Sequence, residues 1–407
     1  MKWKKVEVPK KKEKIRVVWY SNTPEIPTGF AEVTRNVCSR LANDPRYDVY
    51  VIGENYTGNP TTFDNFNVVG RGKDEKELNA LKRWLDKLKP DVLITLEDTF
   101  TLANQGFHSV IFETPWIQYV PMDGYGIPTS GSWILRNCDK IVSMSKYTKK
   151  VLDDENFVSD VIYHGVDLYD FRPVNEHEKS FLKNKYGFKQ DDVVCTIIAR
   201  NSVRKRNQRF LEAAVKACLL NPKLKFFCHL MNYKTRDLDL QEFLTHQMNR
   251  KYGVDMFSNG RIVLNPKGIN PYQRVTDNEV SEYIKMADFT ATSTSGEGFG
   301  MLMTNSMACA VPSISTDYTT SKELLDDVVG GIGKRGLLVK CKAYDTTSYN
   351  VEHALADIED LTEQILWSAN HPTELKEMGK NGRKFVEKYC NWSVIANEWK
   401  KVIEEVI

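Results

Sequence analysis

The chain has 407 residues, of which 41% are apolar and 27% charged, with a formal net charge of +2. Those fractions are ordinary for soluble globular proteins and exclude disorder, fibres and membrane channels, and the length calls for two domains of about 200 residues each. The balance of charge offers no general field for polyanions, although Lys2, Lys4, Lys5, Lys10, Lys11, Lys12 and Lys14 crowd the first residues. Residues 1–14 read foremost as a solvated basic tail, with a DNA or anionic-surface contact as the alternative.

No apolar stretch of the kind found in a secretory leader follows those lysines, and no window approaches the roughly 20 apolar residues of a membrane span. Eight cysteines, none in a CxxC pair, fall mostly within apolar segments such as VVCTIIA and SMACAVP. They point to reduced core thiols and a cytoplasmic protein, with peripheral attachment to a membrane left open.

In chain order, strand-like runs occur at IRVVWY (15–20), YDVYVIG (47–53), DVLITL (91–96), WIQYV (116–120), KIVSM (140–144) and DVIYH (160–164). Between the first two, Phe30, Val33, Val37 and Leu41 recur at the helical period. The pattern restarts with VVCTIIA (193–199), a helix through Leu211, Ala214, Val215 and Cys218, then LKFFCHLM (224–231) and RIVL (261–264). A helix across VSEYIKMAD, strand FTATST (289–294), a short helix at 300–310 and strands VPSIST (311–316) and GLLVKC (336–341) follow. Alternation of this kind predicts an α/β chain of two Rossmann-like, doubly wound parallel sheets. The interruption at Phe171-Arg172-Pro173 divides it into a first domain, 15–172, and a second, 173–388. The last residues, 389–407, form a helix with Trp392, Ile395, Trp399, Val402 and Ile403 on one face.

Two segments carry candidate chemistry. The loop Ser295-Gly-Glu-Gly-Phe-Gly300 leaves a strand and enters a helix, so its backbone N–H groups and the helix dipole suit acceptor oxygens, while Glu297 suits sugar hydroxyls. Glycines also serve plain turn geometry, and both readings stand. In IIARNSVRKRNQ, Arg200 ends a strand and Arg204, Lys205 and Arg206 precede a helix. Ligands collect outside the carboxyl ends of parallel strands, where such cations are placed to hold a diphosphate. The alternative is a solvated basic turn.

Three literal matches fail on context. Gly331-Ile-Gly333-Lys-Arg-Gly336 fits GxGxxG but precedes a strand instead of following one, and Arg335 stands where a P-loop needs Ser or Thr. Asp237-Leu-Asp239 has a metal-binding spacing, yet it falls at a helix start, where carboxylates complement the dipole. No cluster with zinc spacing and no GxSxG is present.

Taken together, PTGFAEV (27–33), YVPMDG (119–124), HGVD (164–167) followed by FRP (171–173), Arg200 with Lys205, the SGEGFG loop and TTSKE (319–323) resemble the GT4-like family of retaining, GT-B-fold glycosyltransferases. The resemblance implies two domains facing a cleft, with the C-terminal helix packing back toward the first domain. It places a nucleotide diphosphate sugar mainly on the second domain and the acceptor mainly on the first. Arg200 and Lys205 would hold the diphosphate, Glu297 the donor-sugar hydroxyls, and the backbone of Gly298, Phe299 and Gly300 would assist. Gly29 would permit close approach to the phosphates, Asp123 would face the donor sugar or acceptor, and Glu323 would complete the donor site. No cofactor or metal is expected, and no protein nucleophile. Asn305 departs from the family, which repeats a glutamate there, and Arg206 stands where Asn or Gly is common. The acceptor implied is a glycan or lipid-linked saccharide, with hydroxymethylated DNA bases as an alternative. A catalytically inactive nucleotide-sugar-binding homologue is the further alternative, motivated by Asn305.

Overall fold

The computed structural model describes residues 14–231, 238–269 and 275–407. The first sheet contains β1 (Ile15–Asn22), β2 (Tyr47–Glu54), β3 (Thr61–Phe63), β4 (Phe66–Val69), β5 (Val92–Leu96), β6 (Trp116–Val120), β7 (Lys140–Ser143) and β8 (Asp160–Val161). Their order is β3-β4-β2-β1-β5-β6-β7-β8, and every pairing is parallel except β3 with β4. Strands covered on both faces are apolar throughout, which is why VVWY and VLITL show no alternation.

The second sheet is wholly parallel. It consists of β9 (Val193–Arg200), β10 (Leu224–Met231), β11 (Ile262–Leu264), β12 (Phe289–Ala291), β13 (Ser313–Thr316) and β14 (Gly336–Val339), ordered β11-β10-β9-β12-β13-β14. A separate antiparallel hairpin follows, β15 (Cys341–Thr346) and β16 (Glu352–Ala356). Winding reverses between β1 and β5 and again between β9 and β12, so a crevice opens beyond the carboxyl ends of those strands.

Several predicted strands are shorter than their apolar runs. FTATST pairs only to Ala291, because Thr292 to Ser295 turn into the glycine loop, where the Thr294 hydroxyl donates to the Gly296 carbonyl at 2.9 Å. DVIYH pairs only over Asp160–Val161, and GLLVKC ends at Val339 before the hairpin begins. Strands β3, β4, β15 and β16 have no counterpart among the strand-like runs; β15 is exposed along most of its length and carries no buried face for a pattern to report.

The closing helix, Trp392–Val406, is capped by Asn391 and buries the predicted face of Trp392, Ile395, Trp399, Val402 and Ile403. Trp399 packs edge-on to Trp19 of β1 and Tyr119 of β6, with ring centroids 5.2 and 5.0 Å apart. Each such buried side chain contributes about 1.5–3 kcal/mol. Gly165 of the HGVD segment lies against Trp392, where a Cβ would come within 2.3 Å of the indole. Of the basic tail only Lys14 belongs to the described residues, and it is exposed.

Candidate active site between the two sheets

A cavity of about 680 Å³ lies between the carboxyl ends of the two sheets. From the second domain it is lined by Arg200, Arg204, Lys205, Glu297, Gly298 to Gly300 and Asn305, and from the first by Gly29, Asp98 and Asp123. Arg200 reaches it as the last residue of β9 and is exposed. Beyond it, Val203–Lys205 makes one turn of 3₁₀ helix and Arg206 adopts the left-handed conformation, φ 48°, before helix Asn207–Leu220. That conformation suits Asn or Gly best, because a Cβ crowds the backbone there. Arg206 is held in it by Nε donating to Ser295 Oγ at 3.1 Å and by an ion pair with Asp345 at 3.1 Å.

The basic turn and the glycine loop are bound to one another. Ser295 N–H donates to the Arg204 carbonyl at 2.8 Å, Lys205 pairs with Glu297, and Arg204 reaches both the Gly296 carbonyl and Glu297. Burial opposes ionisation of Glu297, but the charges of Lys205 and Arg204 outweigh it and hold the carboxyl below its ordinary range. Burial dominates for Lys205 and lowers its ammonium. The Glu297 N–H donates to Thr319 Oγ1 at 2.9 Å, fixing the loop from behind. Gly300, at φ 100°, caps helix Met301–Ala308.

Asp123 crosses from the other wall. Its Oδ2 accepts from Arg204 Nε at 2.9 Å and its Oδ1 lies 3.4 Å from His353 Nε2. Burial would raise this carboxyl, yet Arg204 and His353 hold it below the ordinary value. The walls touch closely: a Cβ on Gly296 would fall 1.8 Å from the Asp123 carbonyl, and one on Gly29 2.9 Å from Met301 Sδ. Asp98, also on the first domain, has its carboxyl pushed up to about 7 by burial and by Asp123.

Not every predicted residue converges. Glu323 lies outside the cavity lining; one carboxyl oxygen accepts the Tyr147 N–H at 3.1 Å, and burial pushes the group up to about 7. Phe299 buries its ring on His164, centroids 4.6 Å apart, so only its backbone is available to a ligand. His164 is 3% exposed, with neither ring nitrogen partnered, and burial pulls it down to about 3, leaving it neutral. Asn305 is 8% exposed and its Oδ1 is unpaired. Asp239 caps helix Leu240–Glu242 by accepting the Glu242 N–H, while Asp237 lies outside the described residues. Among the described residues no three His, Cys, Asp or Glu side chains converge as a ligand set. Sequence reasoning counts Arg204 among the cations of the basic turn placed to hold a diphosphate, but neither its bond to Asp123 nor the presence of His353 is legible there.

Residues 263–385 match the model for glycosyl transferases group 1. Among curated relatives, a Bacillus subtilis (strain 168) protein provisionally named glycosyltransferase EpsD is 23% identical over 54% of this chain and 48% of its own length. The uncharacterized glycosyltransferase MJ1178 of Methanocaldococcus jannaschii is 25% identical over 66% of this chain and 60% of its own. The matched region thus spans about half to three fifths of those relatives. In fold, the chain is similar to sucrose-phosphate synthase from Thermosynechococcus elongatus, with TM-score 0.74 and 16% identity over 96% of this chain and 99% of that one. It is also similar to Anabaena HepE in complex with UDP-glucose, with TM-score 0.69 and 14% identity over 96% and 100%. Both likenesses establish the GT-B architecture of two Rossmann-like domains. No candidate membrane-spanning helix is found among the described residues.

Proposed function

We propose that this chain is a retaining glycosyltransferase that moves a sugar from a nucleotide diphosphate sugar to an acceptor hydroxyl between its two domains. The observation that carries the reading is the convergence of Arg200, Lys205, Glu297 and the Gly298–Gly300 backbone on one wall of a cavity whose other wall presents Gly29 and Asp123. HepE, similar in fold, was crystallised with UDP-glucose. In this reading Arg200 and Lys205 neutralise the departing diphosphate, a charge that grows in the transition state and is stabilised most by fixed cations. The bond from the anomeric carbon to the diphosphate breaks and the bond to the acceptor oxygen forms on the same face. The acceptor proton passes to the leaving diphosphate oxygen, so no protein nucleophile and no metal is required. Glu297 aligns the donor sugar, and Asn305 offers its unpaired Oδ1 to the nucleotide ribose.

The acceptor is assigned as a hydroxyl-rich glycan or lipid-linked saccharide. Support comes from the first-domain side of the cavity, where Glu25, Glu32 and Asp98 line the wall. Glu32 is pushed up to about 8 by burial and by Asp277, and Asp98 up to about 7. Carboxyls held protonated in this way both donate and accept hydrogen bonds with sugar hydroxyls, which supports a hydroxyl-rich acceptor.

The test is to incubate the protein with UDP-glucose, GDP-mannose and ADP-glucose and follow nucleotide release and thermal stabilisation. Release or stabilisation by at least one donor is expected. No response to any of them, with UDP also failing to bind, overturns the reading.

A further inference from the structure

Strand β16 touches both walls of the cavity with three consecutive residues. Glu352 exchanges two backbone hydrogen bonds with Tyr125 of the first domain: the Tyr125 N–H donates at 3.1 Å and the Glu352 N–H donates at 2.8 Å. His353, 8% exposed, lies with Nε2 3.4 Å from Asp123 Oδ1. Ala354 N–H donates to the carbonyl of Ser295, at the start of the glycine loop, at 3.0 Å. Around these, Tyr318 donates its hydroxyl to the Glu352 carbonyl at 2.9 Å and accepts the Tyr125 N–H at 3.1 Å. Gly124 has no room for a side chain, since a Cβ would fall 2.3 Å from the Glu352 carbonyl and 2.5 Å from Val351 Cγ1. At the hairpin tip Tyr349 stacks on Phe100 of the first domain, centroids 4.6 Å apart.

We propose that β16 is a staple between the donor-side and acceptor-side loops, and that His353 is a positioning residue that fixes the orientation of Asp123 in the transfer reaction. This rests on the placement of Asp123 in the site made above. A carboxylate gripped at one oxygen turns readily, because its terminal torsion is broad and roughly two-fold. Arg204 holds only Oδ2; His353 supplies the second point, and the Tyr125–Glu352 pairing delivers it. Since β16 also bonds to Ser295, it adds a second tie between Asp123 and the glycine loop to the one that Arg204 makes. Orientation at that scale governs rate, because a displacement of about 1 Å can cost about a hundredfold.

Steady-state kinetics with the best donor of the three named above provide the test, on His353→Ala and His353→Gln. His353→Ala should lower kcat about tenfold or more with donor KM and the Kd for UDP unchanged, and His353→Gln, whose amide N–H reaches the same carboxylate, should recover most of it. An unchanged kcat in His353→Ala, or a loss that His353→Gln does not restore, overturns the positioning role. If the wild-type protein binds and turns over no donor, the proposed function falls instead, and the staple is read separately by hydrogen exchange on the intact chain. The Tyr125, Glu352 and Ala354 amides should then be protected together, and rapid exchange at any of them overturns the staple.

Discussion

The guanidinium of Arg204, from the loop after β9, meets the carboxylate of Asp123, from the loop after β6, at 2.9 Å across the interdomain cavity. Arg204 also bonds to Glu297 and to the Gly296 carbonyl, so one side chain joins the first domain to the glycine loop of the second. An ion pair whose side chains stay 30% and 37% exposed contributes little to stability; what this one supplies is registry between two walls that belong to different sheets.

Arg200→Ala and Lys205→Ala should each lower kcat by about a hundredfold to a thousandfold, the usual loss when one group that stabilises developing charge is removed. The fold should survive, with near-wild-type circular dichroism. Lys205→Ala should be the less stable of the two, because it strips Glu297 of its nearer cation while Arg200 lies exposed. Unchanged turnover in both variants would remove them from the donor site.

Activity should persist in EDTA. Arg200, Arg204 and Lys205 line the cavity, and in the proposed reading these cations offset the diphosphate charge that a metal offsets in other transferases. Complete loss of turnover on chelation, regained with Mg²⁺ or Mn²⁺, would refute this and reopen Asp237 and Asp239 as ligands.

Glu297→Gln should damage kcat more than Asn305→Ala, whose effect should appear mainly in KM. In the proposed reading Glu297 contacts the transferring sugar, whereas Asn305 contacts the ribose, an interaction that is similar in ground and transition states. Asn305→Glu should keep activity and tighten nucleotide binding, since a charge-assisted bond to ribose replaces a neutral one. Kinetics of the three variants with one accepted donor decide the matter, and the reverse ranking would exchange the two roles.

Gly296→Ala should abolish turnover while each domain stays folded. Its Cβ would fall 1.8 Å from the backbone carbonyl of Asp123, an atom that cannot move aside without separating the walls. An enzyme with normal kcat in this variant would show that the walls need not meet for catalysis.

Stability should fall as pH rises toward 8, partly through Glu323. Its folded value is raised to about 7 from 4.5 by burial, so the native state binds the extra proton between those two values. The contribution is therefore fully present below pH 4.5 and lost as pH passes through about 7. Between pH 5 and 8 this amounts to about 2 kcal/mol, and Glu323→Gln should remove it while its amide oxygen still accepts the Tyr147 N–H. Parallel denaturant titrations at the two pH values check this, and equal pH dependence in variant and wild type would refute it.

Two α/β halves, the closing amphipathic helix and the location of the Arg200–Lys205 turn and the glycine loop beyond strand ends were legible in the sequence; that Lys205 bonds to Glu297 was not. Their causes are local: strands buried on both faces must be apolar throughout, a docked helix must repeat its apolar face, and a parallel sheet puts its loops at the carboxyl ends of its strands. Where FTATST stops being a strand was not legible, because Thr292 and Thr294 are as strand-prone as their neighbours and Thr294 is diverted by its bond to the Gly296 carbonyl in the loop beyond. Nor was the role of Arg204, which looks like any member of a basic run until Asp123 stands opposite, or of His353, which is carried to the site by a hairpin whose first strand is largely exposed. Glu323 sits in a plausible motif, yet its carboxyl accepts the Tyr147 N–H and does not line the cavity. Such contacts depend on how one domain is set against the other, and no local period or spacing along a chain encodes that distance.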